Sequence, residues 1–210
     1  EQEYPGIGQC IDELLGFEGR YRGWERTPVN MDPSQLDPVQ ILHETEEILV
    51  RRRGDGTVEQ ICKVGDYHRH DIDWPIKCMD DWDRYKKRHM QADDPSRFPD
   101  NWPELVEEYR HRDYPLQLTH RGVYGFCRNR MGDENLAYAF YDQPELVHDM
   151  MDSYTEMCLQ IWEKQAAEVE FDLIECWEDM AYNSGALISP RTFREFMAPN
   201  YRLIAQWGKE

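Results

Sequence analysis

The chain has 210 residues, 40% of them hydrophobic, with 42 acidic and 24 basic residues and a formal net charge of −18. The hydrophobic content is that of a folded protein, and the length favours a single domain. The acidic balance argues against nucleic acid and anionic membrane surfaces as partners, because phosphate contacts require a basic face.

The pattern of apolar residues and cysteines favours a cytoplasmic protein. No apolar run is long enough to span a bilayer, and no charged-then-apolar leader starts the chain. The six cysteines are scattered without a CxxC pair, which favours reduced thiols over a disulfide framework.

Residues 1–112 predict an irregular region that contains a β-hairpin. ILVRRR and TVEQICKV flank a Gly-Asp-Gly turn at 54–56, which is typical of two antiparallel strands. A short amphipathic helix begins near Asp80, and a second helix runs from about Glu104 to Arg112. We expect this region to decorate the remainder of the domain.

Residues 113–210 predict alternating strands and helices, as in β/α units. PLQLTH, at 115–120, predicts a strand that ends at Arg121, and a helix follows it through Met131. The longest predicted helix runs from Pro144 to about Glu168, with apolar residues at three- and four-residue steps. Asp142 and Glu145 predict a capping box at its start.

The segment 171–199 contains the strongest candidate site. Its apolar block at 171–177 predicts a strand covered on both faces, as in a parallel sheet, and Ser189-Pro190 predicts the start of a helix. Glu178 and Asp179 follow the strand directly, and Tyr182 and Asn183 lie close by in sequence. A carboxylate at a strand end can act as a general base or bind a polar group of a substrate. The alternative is that Glu178 and Asp179 are ordinary loop carboxylates.

A second candidate group is His120-Arg121 with Arg128 and Arg130. Arginines that follow a strand can bind a carboxylate or phosphate through two hydrogen bonds. The alternative is that Arg128 and Arg130 form surface ion pairs on a helix.

His68, His70 and Asp71 form a third group with the spacing of a zinc site, but no cysteine or third histidine lies nearby, which favours exposed loop histidines. No Walker, GxGxxG, GxSxG or HExxH motif occurs.

CWEDMAYNSGALISPRTFREFMAPNYRLI, at 176–204, resembles the central segment of the uroporphyrinogen decarboxylase family, which includes cobalamin-dependent coenzyme M methyltransferases. DWPIKCMDDWDRYKKR and GDENLAYAFYDQPELVHDMMDSYTEM resemble other segments of that family. The resemblance implies an α/β fold, a partial TIM (β/α)8 barrel, with its site at the C-terminal ends of the strands. Arg128 stands where the decarboxylases have a tyrosine.

The resemblance implies a carboxy-lyase that acts on a tetrapyrrole or a related small molecule without a cofactor. Glu178 and Asp179 would be catalytic, and the expected substrate-binding residues are His120, Arg121, Arg128, Tyr182 and Asn183. The first alternative is a corrinoid and coenzyme M methyltransferase that uses zinc and a corrinoid, and the second is a non-catalytic tetrapyrrole- or corrinoid-binding barrel. The expected partners are a small-molecule substrate and either a second copy in a homodimer or a corrinoid protein.

The ends of the chain indicate a fragment. It starts at Glu1 without a methionine and ends at Glu210 within a predicted helix. We therefore expect residues 1–210 to form one incomplete domain.

Overall fold

The computed structural model describes residues 25–34, 37–65 and 68–209. These residues form a mixed α/β fold with a parallel sheet, an antiparallel sheet and a two-stranded hairpin, which confirms the predicted α/β class. Within the described ranges the parallel sheet has three strands and does not close into a barrel.

The parallel sheet has the strand order β1, β6, β7. Its strands are β1 (Glu25–Arg26), β6 (Leu116–Arg121) and β7 (Leu173–Trp177). β6 and β7 run in register from Gln117 opposite Leu173 to Arg121 opposite Trp177. Both predicted strands are therefore confirmed, and they end side by side.

Three helices connect β6 to β7: α3 (Val123–Met131), α4 (Asp133–Asp142) and α5 (Pro144–Ala166). The predicted long helix is α5, and its apolar stripe is buried in the main core. The predicted capping box is wrong, because Asp142 is still the last residue of α4 and the N-cap of α5 is Gln143. A residue inside a helix cannot adopt the extended backbone of an N-cap.

The antiparallel sheet has four strands in the order β2, β3, β4, β5. They are β2 (Gln40–Glu44), β3 (Ile48–Arg52), β4 (Val58–Cys62) and β5 (Arg69–Asp73). The predicted hairpin is β3–β4, and Gly56 adopts a φ of 85° in its turn, a conformation that favours glycine. The outer strands β2 and β5 were not predicted.

Charged groups hold the middle of this sheet, while its edge is exposed. Glu59 of β4 is fully buried, and its carboxylate lies 2.6 Å from Arg51 Nε and 3.4 Å from Arg53 Nη1. Every residue of β2 is exposed, including Ile41 and Leu42.

The other elements precede β6 or follow β7. Helices α1 (Met79–His89) and α2 (Trp102–Arg110) share the main core with α5. After β7 come β8 (Ala181–Tyr182), β9 (Gly185–Ala186), α6 (Pro190–Thr192), a π-helical segment (Phe193–Met197) and α7 (Ala198–Trp207). The predicted helix start is confirmed, since the Ser189 hydroxyl accepts a hydrogen bond from the backbone N–H of Thr192. In the described part of the chain, no helix is long and apolar enough to cross a membrane.

The expectation that β7 is covered on both faces is wrong for the described residues. Ile174 packs towards the helices, whereas Leu173 and Trp177 are 45% and 52% exposed. Successive side chains of a strand point to opposite faces, so the described helices cover only the face that carries Ile174 and Cys176.

Replacement of Met150 by alanine tests the packing of α5. Met150 is fully buried in the core, so we expect Met150→Ala to lower the free energy of unfolding by about 2–5 kcal/mol. Gln160→Ala, at an exposed position of the same helix, should change it by less than about 0.5 kcal/mol. Urea unfolding of both variants measures this, and equal effects would contradict the burial of that face.

Candidate functional site at the carboxyl edge of the parallel sheet

The residues predicted to form a site meet where β6 and β7 end. Arg121 lies opposite Trp177, and the Gly122 N–H donates a 2.8 Å hydrogen bond to the Trp177 carbonyl. The next residue along the chain after each strand, Gly122 or Glu178, therefore begins at the same edge of the sheet.

Glu178 is held in place by donors from two helices. Its Oε1 accepts a hydrogen bond from the Tyr124 N–H and its Oε2 accepts one from the Gly125 N–H, each at 3.0 Å. The Tyr201 hydroxyl of α7 also donates to Oε1. The two amides belong to the first turn of α3, where N–H groups lack partners within the helix and a negative charge is favourable.

Burial and hydrogen bonding oppose each other at this carboxylate. Burial raises the pKa of Glu178, while the hydrogen bonds from Tyr201, Tyr124 and Gly125 act to lower it, and the net direction is upward. Burial and the Glu178 charge also raise the pKa of Tyr201. Tyr201 therefore remains a neutral phenol that donates to a fixed carboxylate.

Gly122 makes room for Glu178. A Cβ atom at residue 122 would lie 2.0 Å from Glu178 Cδ and 2.2 Å from its Oε1. Any side chain there would displace the carboxylate from the α3 amides. Residue 122 must therefore be glycine for this contact to form.

Asp179 and Arg128 also come together, as loop and helix partners. Arg128 Nη1 donates to the Asp179 carbonyl at 2.7 Å and lies 3.4 Å from its Oδ2. The guanidinium is also 3.9 Å from Asp133. Arg128 thus fixes the loop after β7 against α3, with the Asp179 carboxylate 59% exposed.

Tyr182 and Asn183 lie farther out, on the hairpin formed by β8 and β9. Tyr182 is 68% exposed and Asn183 is also exposed. Their predicted role in substrate binding stays a prediction.

His120 is buried on the face of the sheet that the helices cover. Its ring packs against Trp162 and Tyr154, with ring centroids 5.2 and 5.8 Å away. Nδ1 lies 3.0 Å from the Arg121 carbonyl and Nε2 lies 3.0 Å from Cys176 Sγ. A carbonyl oxygen only accepts, so Nδ1 carries the proton and Nε2 accepts from the thiol.

This histidine–cysteine pair is neutral. Burial lowers the pKa of His120 to about 4, and burial raises the pKa of Cys176 to about 11. An activated cysteine has the opposite pattern, a thiolate stabilised by a nearby positive charge. The pair is therefore a satisfied buried contact with no activated nucleophile.

Several residues that sequence reasoning missed line the other face of β6 and β7. They are Arg26, Gln117, Thr119, Glu175 and Trp177, and together with the predicted His120 and Arg121 they line a cavity of about 340 Å³. The Arg121 guanidinium lies 4.7 Å from the centroid of the Trp177 ring. The alternation of Gln117, Thr119 and Arg121 along β6 was the sequence signal that could have indicated this polar face.

A larger cavity, about 880 Å³, is lined by a different set of residues. It lies beside β7, between the end of α5 and the end of α7, and includes Phe171, Leu173 and Trp207. It also borders β6 through Leu118, but it contains none of the predicted site residues. We assign it no part in the site.

A double-mutant cycle tests the contact between Gly122 and Glu178. Gly122→Ala should destabilise the fold because the new methyl group displaces the Glu178 carboxylate. Glu178→Ala should destabilise it because two α3 amides lose their acceptor. Together the changes should cost less than the sum of the single effects, by roughly 0.5–3 kcal/mol in urea unfolding. Additive effects would contradict the contact.

The buried state of His120 predicts a pH dependence of stability. The folded state holds the pKa at about 4, whereas the unfolded chain takes up the proton near its ordinary value of about 6.5. Stability is therefore lost as the pH falls from about 6.5 towards 4, and the loss at pH 5 is about 2 kcal/mol. His120→Gln should remove this part of the pH dependence in urea unfolding. His111→Gln, at an exposed histidine, should leave it in place, and equal slopes for the wild type and His120→Gln would contradict the assignment.

Among the described residues, no three His, Cys, Asp or Glu side chains are arranged to hold a metal ion. Comparison of the chain with models of protein families, with curated proteins and with solved structures finds no match. The site has three parts: the fixed Glu178 carboxylate, the strand edge that carries Arg121 and Arg128, and a small polar cavity on the open face of the parallel sheet.

Proposed function

We propose that this chain is a uroporphyrinogen decarboxylase-like carboxy-lyase that acts on a tetrapyrrole or a related small molecule at the carboxyl edge of its parallel sheet. On this proposal β6, α5 and β7 are one unit of a partial (β/α)8 barrel, the fold that the sequence resemblance implies. Enzymes of this fold carry their sites on the loops that follow the strands.

One observation carries the proposal: a carboxylate fixed by three hydrogen bonds lies at the same strand edge as an arginine without an acidic partner among the described residues. The carboxylate is Glu178 and the arginine is Arg121. A free guanidinium can bind a carboxylate of the substrate through two hydrogen bonds.

The chemistry assigns different tasks to these two charges. In the decarboxylation of an acetate group on a pyrrole, the bond between the methylene carbon and the carboxylate breaks and CO2 leaves. The electron pair flows into a ring that has been protonated, a second proton is added to the methylene carbon, and the ring then loses the proton that it took up first. A fixed carboxylate stabilises the cationic ring without having to reorganise, which is the task we propose for Glu178.

The other predicted residues would surround the reacting group at the carboxyl edge. Asp179 would add a second negative charge near the cationic ring, and Arg128 would hold it in place through the contact at 2.7 Å. Tyr182 and Asn183 would contact the outer part of the substrate. His120 would act indirectly, by supporting the strand that carries Arg121.

The other two predicted functions require different residues or a different outcome. A coenzyme M methyltransferase activates its thiol by coordination to zinc. His120 and Cys176 contact each other on the helix-covered face of the sheet, where the thiol donates to the ring nitrogen, so this pair does not favour that function. A non-catalytic barrel would bind the ligand without product formation.

Removal of the Glu178 and Asp179 carboxylates tests the proposal. We expect the wild-type protein to release labelled CO2 from a uroporphyrinogen that carries carbon-13 in its acetate carboxylates, measured by mass spectrometry. Glu178→Gln combined with Asp179→Asn should lower the rate by roughly 100-fold or more, because the cationic ring loses its fixed counter-charge.

Two exposed carboxylates near the start of α2 supply the matched control. Asp100→Asn combined with Glu104→Gln makes the same change in charge at exposed positions and should leave the rate unchanged. Full activity in the Glu178→Gln, Asp179→Asn variant would overturn the catalytic assignment. Binding in an absorbance titration without CO2 release would indicate the non-catalytic barrel, and methylation of coenzyme M by methylcobalamin would indicate the methyltransferase.

A further inference from the structure

The two faces of β6 and β7 differ in chemistry. Leu118 and Ile174 point towards the helices, where they contact Trp162 and its neighbours. The opposite face carries Thr119 and Glu175, which lie side by side in the register of the strands. This polar face forms one wall of the 340 Å³ cavity.

Positively charged groups lie at both ends of this cavity. Arg26 of β1 pairs in register with Gln117, and Arg121 lies four residues farther along β6. At about 3.3 Å per residue, the backbones of the two arginines are separated by about 13 Å along the strand direction, and their side chains can extend towards each other. Neither forms an ion pair with an acidic side chain among the described residues.

A fixed acceptor lies between the two arginines. Glu175 Oε2 accepts hydrogen bonds from Gln117 Nε2 at 3.0 Å and from Thr119 Oγ1 at 3.4 Å. Its Oε1 accepts no hydrogen bond within the described part of the chain. This oxygen can therefore accept an N–H group of a ligand.

The size and the aromatic wall of the cavity limit the ligand further. Its volume is close to the lower limit of about 300 Å³ for small-molecule sites, so one ring fits and a four-ring macrocycle must extend out of it. Half of the Trp177 surface is exposed beside Arg121, which provides an apolar surface for a flat ring.

We propose that this cavity binds a one-ring dicarboxylate with an N–H donor between its two carboxylates. Arg26 and Arg121 each bind one carboxylate, Glu175 accepts the N–H, and Trp177 contacts the ring. This inference rests on the proposed function, since it names the chemical group that the same edge recognises: a single pyrrole-like ring with two carboxylates.

Two probes of nearly equal shape test the role of Glu175. Pyrrole-2,5-dicarboxylate has an N–H between its carboxylates, and furan-2,5-dicarboxylate has an oxygen there. In calorimetric titrations of the wild-type protein, the pyrrole diacid should bind roughly tenfold or more tightly, because the furan oxygen repels the Glu175 carboxylate. Glu175→Gln should reduce this preference to about threefold or less, because an amide can donate to the furan oxygen as well as accept from the N–H.

Arginine variants test the two carboxylate positions. Arg121→Met and Arg26→Met should each raise the dissociation constant of the pyrrole diacid roughly tenfold or more, since each removes a charge-assisted hydrogen-bond pair. Pyrrole-2-carboxylate, with one carboxylate, should lose affinity in the wild type to a similar extent. Arg191→Met, at an arginine whose side chain is 90% exposed on α6, is the matched control and should leave binding unchanged. Thermal unfolding of each variant separates lost binding from lost folding.

The outcomes separate this inference from the proposed function. Equal affinity for the pyrrole and furan diacids, or tighter binding of inorganic phosphate than of either, would overturn the inference. Release of CO2 from uroporphyrinogen without binding of the pyrrole diacid would overturn it while supporting the proposed function. Binding of the pyrrole diacid as described, without decarboxylation of any substrate, would support the site and overturn the proposed reaction.

Discussion

The hydrogen bonds to Glu178 join three elements that are far apart in the chain. The amides of Tyr124 and Gly125 lie more than fifty residues before it, and Tyr201 lies 23 residues after it. A single carboxylate therefore fixes the first turn of α3 and the side of α7 relative to the end of β7. These hydrogen bonds also position Asp179 and Arg128. Asp179 is the next residue after Glu178, and Arg128 lies one helical turn after Gly125.

This arrangement explains why the edge of the sheet combines rigid and exposed groups. The charge of Glu178 is met by backbone dipoles, so it does not need an arginine as a partner. Arg121 and Arg128 are left for other contacts: Arg128 holds the loop after β7, and Arg121 lies against Trp177 on the open face. Stabilisation of Glu178 by a helix N-terminus thus leaves the Arg121 guanidinium without an acidic partner among the described residues.

The parts of the fold that the sequence predicted are those with a strong local pattern. The stripe through Met150 and Tyr154 indicated α5, and the Gly-Asp-Gly turn indicated the β3–β4 hairpin. β5 (RHDID) escaped prediction, because it is mostly polar and owes its structure to pairing with β4.

The candidate site shows the same division. The sequence placed Glu178 after a strand, but the donors that hold it depend on how β6 and β7 align, and that alignment joins residues more than fifty positions apart. Arg26 and Glu175 were missed for a related reason. Arg26 belongs to a two-residue strand with no pattern of its own, and Glu175 stood within an apolar block whose alternation was not recognised. Tertiary pairing, which local patterns do not encode, made both of them part of the cavity.

The exposed strand β2 has a consequence for the dynamics of the protein. Its five residues bury neither face, so the hydrogen bonds to β3 hold it with little help from the hydrophobic effect. β4, in contrast, lies between two strands and anchors a buried carboxylate. Local opening should therefore start at β2 and stop before β4. In hydrogen exchange, the amides of Gln40–Glu44 would lose their protons much faster than those of Val58–Cys62, although both strands belong to one sheet.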